Sequence, residues 1–147
     1  MGTFQLDDAD SDSEHLLIAI HTSLEDYRLA YFLNLHLQLR LHKTDDWISN
    51  KIPYSCYQYT DEPEVEWFCI ANKNVRHADD VQQLFATAET NYLINEHKKV
   101  DYWLKATYEY SLPNAIEMCA VIKNIPLVIM TYSVDFQKLK SKNKLIF

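Results

Sequence analysis

Glycine is nearly missing from this chain: Gly2 is the single one among 147 residues. Loops that cradle phosphate need backbone N–H groups at close approach, often at positive φ, and glycine supplies both. A P-loop, a dinucleotide fingerprint and a kinase-type glycine loop are therefore excluded. Turns at positive φ fall instead to asparagine, for which Asn50, Asn72, Asn74, Asn91, Asn95 and Asn124 are the candidates. The three cysteines, Cys56, Cys69 and Cys119, form no Cys-x-x-Cys pair, and an odd count argues against a disulfide framework. Their expected role is that of buried thiols in a reducing cytoplasm. No apolar run approaches the roughly 20 residues of a membrane span. The N-terminus opens acidic, so no secretory signal is expected. No Gly-x-Ser-x-Gly elbow is present for a serine triad, and the six histidines form no H-x-x-x-H pair.

Basic charge is scarce too. The net charge is −7, but Asp7, Asp8, Asp10, Asp12 and Glu14 crowd five acids into one short tail. Without them 16 acids face 14 bases, and so balanced a body offers no broad field for nucleic acid. Residues 1–14 are expected to form a disordered acidic arm and residues 15–147 a single domain. What the chain does have is aromatic surface, with ten Tyr, six Phe and three Trp. Tyr54, Tyr57, Tyr59, Trp67 and Phe68 could stack on a single strand of nucleic acid. They lie around Asp61, Glu62, Glu64 and Glu66, which would repel phosphate, so a core or partner interface is the better use.

Periodicity supplies the elements. Residues 15–21 read as a strand buried on both faces, because the apolar run is continuous. Thr22-Ser23-Leu24-Glu25 has the form of a capping box and predicts a helix to about residue 34. Leu35, Leu37, Leu39 and Leu41 alternate with polar residues and predict a strand with all four leucines facing the core. Residues 54–59 and 65–72 predict an antiparallel hairpin. Asp79 or Asp80 would cap a helix through Ala88, and Asn114 another through Lys123. A strand is expected over 127–134. Lys138, Lys140, Lys142 and Lys144 read either as an edge strand guarded by lysines or as a flexible anion-binding end. The sum is an α+β fold: a largely antiparallel sheet covered by two or three helices.

The stretch from Ile94 to Leu104, INEHKKVDYWL, holds the densest chemistry. As a helix it would bring His97 and Asp101 onto one face at metal-gripping spacing. Its aromatic content favours a strand from residue 100, which would hold the two about 13 Å apart. No metal and no cofactor is then expected. INEHKKVDY, together with HTSLEDYRLAYFLN upstream and LKSKNKLIF near the C-terminus, resembles the Bacteroidetes family named for its IPExxxVDY motif. Ile94, Glu96, Val100, Asp101 and Tyr102 match that motif, while Asn95 stands where its proline belongs. The resemblance implies a cytoplasmic bacterial protein and carries over no catalytic residue.

Six residues are candidates for a site: Glu25, Asp26 and Arg28 in the first block, and Glu96, Asp101 and Tyr102 in the second. A structural role fits them all, since carboxylates near a helix start and beside a bend accept backbone N–H groups. Three functions remain in view. One is a non-catalytic cytoplasmic interaction module that self-associates, for example as a homodimer, through surplus aromatic residues. Another is a small-molecule-binding protein or enzyme using Glu96, Asp101 and Tyr102. The weakest is RNA or ribosome association through the C-terminal lysines. The absence of a recognisable catalytic set leans away from an enzyme.

Overall fold

The computed structural model describes residues 14–61, 65–76, 89–108 and 114–145. The expected acidic arm and the expected helix after Asp79 lie outside these residues. Ten strands and two α-helices are described: β1 (Glu14–Thr22), α1 (Asp26–Leu37), β2 (His42–Lys43), β3 (Trp47–Ser49), β4 (Ile52–Tyr54), β5 (Cys56–Asp61), β6 (Val65–Ala71), β7 (Lys73–Arg76), β8 (Glu89–Tyr92), β9 (Tyr102–Tyr108), α2 (Ala115–Ile122) and β10 (Val128–Ser133). Six strands form one sheet in the order β10-β1-β9-β6-β5-β2. The pairs β3-β4 and β7-β8 stand as separate two-stranded ribbons. Every pairing described is antiparallel. The fold is α+β, and the sheet is its larger part.

β1 shows why the centre is stable. Leu16, Ile18 and Ile20 face the helices, while Leu17 and Ala19 face the other way, and all five are buried. Neighbouring strands repeat the division: Leu104 and Ala106 of β9 and Cys69 of β6 join the helical side. Trp103 and Ile70 join the opposite side. Leu29 and Leu33 of α1, with Met118 and Ile122 of α2, complete the first core. Burying a side chain of this size contributes about 1.5–3 kcal/mol. The second core has no helix over it. Leu93, Ile94 and Val100 cover it, with Phe136, Leu139 and Leu145 from the C-terminal segment.

The helix after β1 differs from its expected form at both ends. Thr22 does not cap it: its Oγ1 accepts the Leu24 N–H and donates to the Leu127 carbonyl, and Glu25 occupies the N-cap position without a side-chain bond. The helix then runs on to Leu37, which overturns the expected strand over 35–41. Leu29, Leu33 and Leu37 continue an i, i+4 series, so a helical stripe overlay the alternation of leucines. Gln38 ends the helix at φ 58, its N–H bonded to the Asn34 carbonyl. The Asn34 side chain then clasps both the N–H and the carbonyl of Leu41. Leu39 and Leu41 are buried, but Leu35 is 59% exposed. Among the described residues four non-glycine residues hold positive φ: Gln38, Asn50, Lys51 and Leu127. Of the asparagines expected to do so, Asn50 alone does.

Three other expectations fare better. The hairpin β5-β6 forms in register, with Cys56 opposite Ile70 and Asp61 opposite Val65. Asn114 caps α2 by accepting the N–H groups of Ile116 and Glu117. The strand after the motif is extended, though it starts at Tyr102. The lysine-rich end is not an edge strand: 3-10 turns over Phe136–Lys138 and Lys142–Leu145 hold it against the second core. Among the described residues no helix is long and apolar enough to cross a membrane.

Candidate functional site

The motif segment is built around a residue outside it. Asn72, at the end of β6, is fully buried, and a buried amide needs all its partners. Its Oδ1 accepts the Ile94 N–H and the Trp103 Nε1–H, both at 2.9 Å. Its Nδ2 donates to the carbonyls of His97 at 2.9 Å and Val100 at 3.0 Å. Its own N–H donates to the Asp101 carbonyl, and its carbonyl accepts the Leu93 N–H. The chain from 93 to 103 is thereby wrapped round one amide, with a 3-10 turn over Asn95–His97 at its crest. The sequence places Asn72 at the end of an expected strand and among the turn candidates. Its partners lie far off in sequence, and an isolated asparagine carries no sign of them.

The motif carboxylates are bound inward. Asp101 accepts the Thr22 N–H on Oδ2 at 2.9 Å and the Lys73 ammonium on Oδ1 at 2.9 Å. Its charged partner is thus Lys73, on the neighbouring β7. Tyr102 donates its hydroxyl to the Leu24 carbonyl at 2.8 Å. Burial, then the charges of Cys69, Asp26, Asp101 and Glu25, push its pKa well above the ordinary phenol value, so it stays a proton donor. Glu96 accepts the N–H and the hydroxyl of Ser141, at 2.8 and 2.7 Å. Burial pushes the Glu96 carboxyl up. Hydrogen bonds from the Ser141 hydroxyl and the backbone of Glu96, Ser141 and Lys140 outweigh it and hold the pKa below its usual value.

These ties join three segments far apart in sequence. Thr22 and Leu24 meet Asp101 and Tyr102, and Glu96 meets Ser141. Glu25 and Arg28 form a loose exposed pair at 4.0 Å, worth a few tenths of a kcal/mol. Asp26 accepts from the Ser55 hydroxyl and from the Tyr27 N–H. Asp101 and Tyr102 therefore sit at the start of α1, while Glu96 is engaged with the C-terminal segment. Among the described residues no group of three or more His, Cys, Asp or Glu is placed to hold a metal ion. Cys56 and Cys69 are buried free thiols, and burial pushes Cys56 up to about 11; neither suits a nucleophile, which needs an exposed thiolate.

Two clefts flank the crest of the motif. The larger, about 520 Å³, lies between His97, Lys99 and Glu96 on one side and His21, Met130 and Tyr132 on the other. His21 Nε2 and the Tyr132 hydroxyl are 3.1 Å apart on its wall. The smaller, about 230 Å³, lies between the β3-β4 turn, β8 and the last 3-10 turn. Asn95 and Lys98 line both. No family model matches this sequence, and comparison with curated proteins and with solved structures gives no match.

Proposed function

We propose that this protein is a non-catalytic interaction module that self-associates through the free edge of β10. The supporting observation is the contrast between the two outer strands of the sheet. β2 is two residues long and carries His42 and Lys43, which is how natural sheets blunt an edge. β10 is six residues long, reads VIMTYS, and has no charge and no proline. Ile129 is 71% exposed and Met130 47%, beside Leu127 at 58% and, on α2, Ile116 at 81%. A second copy placed antiparallel along β10 would continue the hydrogen-bond ladder and cover these side chains. A stable contact of this kind buries about 1,000 Å² or more, which needs the flanking α2 surface as well as the strand.

Membership of the IPExxxVDY family, with the cytoplasmic setting that this implies, is part of the same proposal, as is the organisation of residues 15–147 as one domain. It is supported by the way the three resembling segments bond to one another. That pattern makes Glu96, Asp101 and Tyr102 ties of the fold. RNA association draws less support: Lys138 faces Asp135 and Lys142 bonds Gln137, so the lysines are dispersed.

The test is light scattering across a concentration series. The wild-type chain is expected to be a dimer whose thermal midpoint rises with concentration, and Ile129→Lys a folded monomer whose midpoint does not. A wild-type chain that stays monomeric at high concentration ends the proposal.

A further inference from the structure

The smaller cleft has a composition unlike the rest of the molecule. The chain carries a net charge of −7, yet among the described residues no carboxylate lines this cleft and two lysines do, Lys98 and Lys144. Neither is ion-paired among the described residues. Lys98 lies over the Tyr92 ring, its Nζ 5.4 Å from the centroid, which restrains the side chain at the cleft. Amides and hydroxyls supply much of the remaining wall, among them Asn50, Asn91, Asn95 and Ser49.

One of these amides is incomplete. Among the described residues Asn91 Nδ2 is buried without a hydrogen-bond partner, and so is Oδ1 of Asn74, its cross-strand neighbour. A buried amide group left unpaired costs about 1–3 kcal/mol. Asn91 is among the residues lining the cleft and Asn74 is not.

We propose that this cleft binds a small phosphorylated polyol, such as a monosaccharide phosphate. Two lysines lining one concavity, neither ion-paired among the described residues, match a phosphomonoester dianion, for which lysine serves as a point charge. The amide and hydroxyl walls match a body rich in hydroxyls and not an acyl chain. A volume of about 230 Å³ is below the roughly 300–1,000 Å³ of drug-sized sites, which limits the body to about one sugar ring. The site is independent of the β10 edge.

Calorimetric titration of the full-length chain tests this with glycerol 3-phosphate, ribose 5-phosphate, glucose 6-phosphate, glucose and inorganic phosphate. At least one phosphorylated polyol is expected to bind about tenfold or more tightly than either glucose or inorganic phosphate, because both halves are recognised. Lys98→Gln and Lys144→Gln are each expected to weaken it about tenfold, the loss of one charge-assisted bond, with the thermal midpoint unchanged. Lys123→Gln, on α2, is expected to change nothing. Failure of all three phosphorylated polyols to bind overturns the proposal. So does inorganic phosphate binding equally well, or affinity that survives both lysine substitutions.

Discussion

Asn72 and Lys105 are both polar residues buried in this fold, and burial has a different consequence for each. Every polar atom of Asn72 is bonded within the protein. Asn72→Leu keeps the volume but strands two donors, Ile94 N–H and Trp103 Nε1–H, and two carbonyls. The expected loss is about 3–5 kcal/mol by urea denaturation. A loss below about 1 kcal/mol would mean that the loop does not depend on this amide. Lys105 is 2% exposed and lies between the Phe68 and Phe136 rings, with Nζ 3.1 Å from Thr107 Oγ1. Burial, partly opposed by Glu66, pulls its pKa from 10.5 down to about 8. The unfolded chain thus holds the proton more tightly than the folded one, and stability from this group rises with pH between those two values. Lys105→Met is expected to be more stable than wild type at pH 7, on the order of 2 kcal/mol, and to lose that advantage as pH climbs from 8 toward 10.5. Comparing the two proteins cancels the opposite contributions of the buried thiols and phenols. A difference that does not vary with pH would refute the assignment.

The elements were readable where their determinants are local. The unbroken apolar run of β1 and the Asn114 cap of α2 each lie within a few neighbouring residues, and both formed as expected. Of the six candidate site residues, Glu25 and Arg28 are legible as a pair, being one turn apart, while the long-range partners of the others are not. Asp101 could not be matched to Lys73 or Glu96 to Ser141, because those pairings are 28 and 45 residues long. Residues 35–41 failed for a different reason. Leucine at every second position satisfies a strand, yet Leu29, Leu33 and Leu37 also satisfy a helix, and packing on the first core decided for the helix. The helix stops where Gln38 turns left-handed at φ 58 on an exposed site. A side chain with Cβ costs about 1 kcal/mol there and glycine does not. Gln38→Gly is therefore expected to raise the unfolding free energy by about that amount, visible as a higher thermal midpoint. A fall in the midpoint would show that flexibility in the unfolded chain outweighs the relief.

At the scale of the molecule, the sheet is buried on both faces, by α1 and α2 on one and by irregular chain on the other. Helical cover announces itself through a 3.6-residue period, whereas Leu93, Ile94, Val100, Phe136, Leu139 and Leu145 follow no period at all. That is why the cover of the second face is not legible in the sequence, although β1 reads as buried on both faces. The lysine-rich end likewise reads as an edge strand or a flexible anion-binding end and forms 3-10 turns instead. The strand order has a kinetic corollary. β1 lies between β9 and β10, and pairs Ile20 with Tyr102 and His21 with Met130. Its partners emerge only after most of the chain has been made. Closing such long loops precedes any reward from pairing, so refolding is expected on the millisecond-to-second scale typical of non-local β topologies. Throughout that interval the unpartnered Leu-Leu-Ile-Ala-Ile run is the stickiest surface on the nascent polypeptide, and the first place a chaperone would hold it.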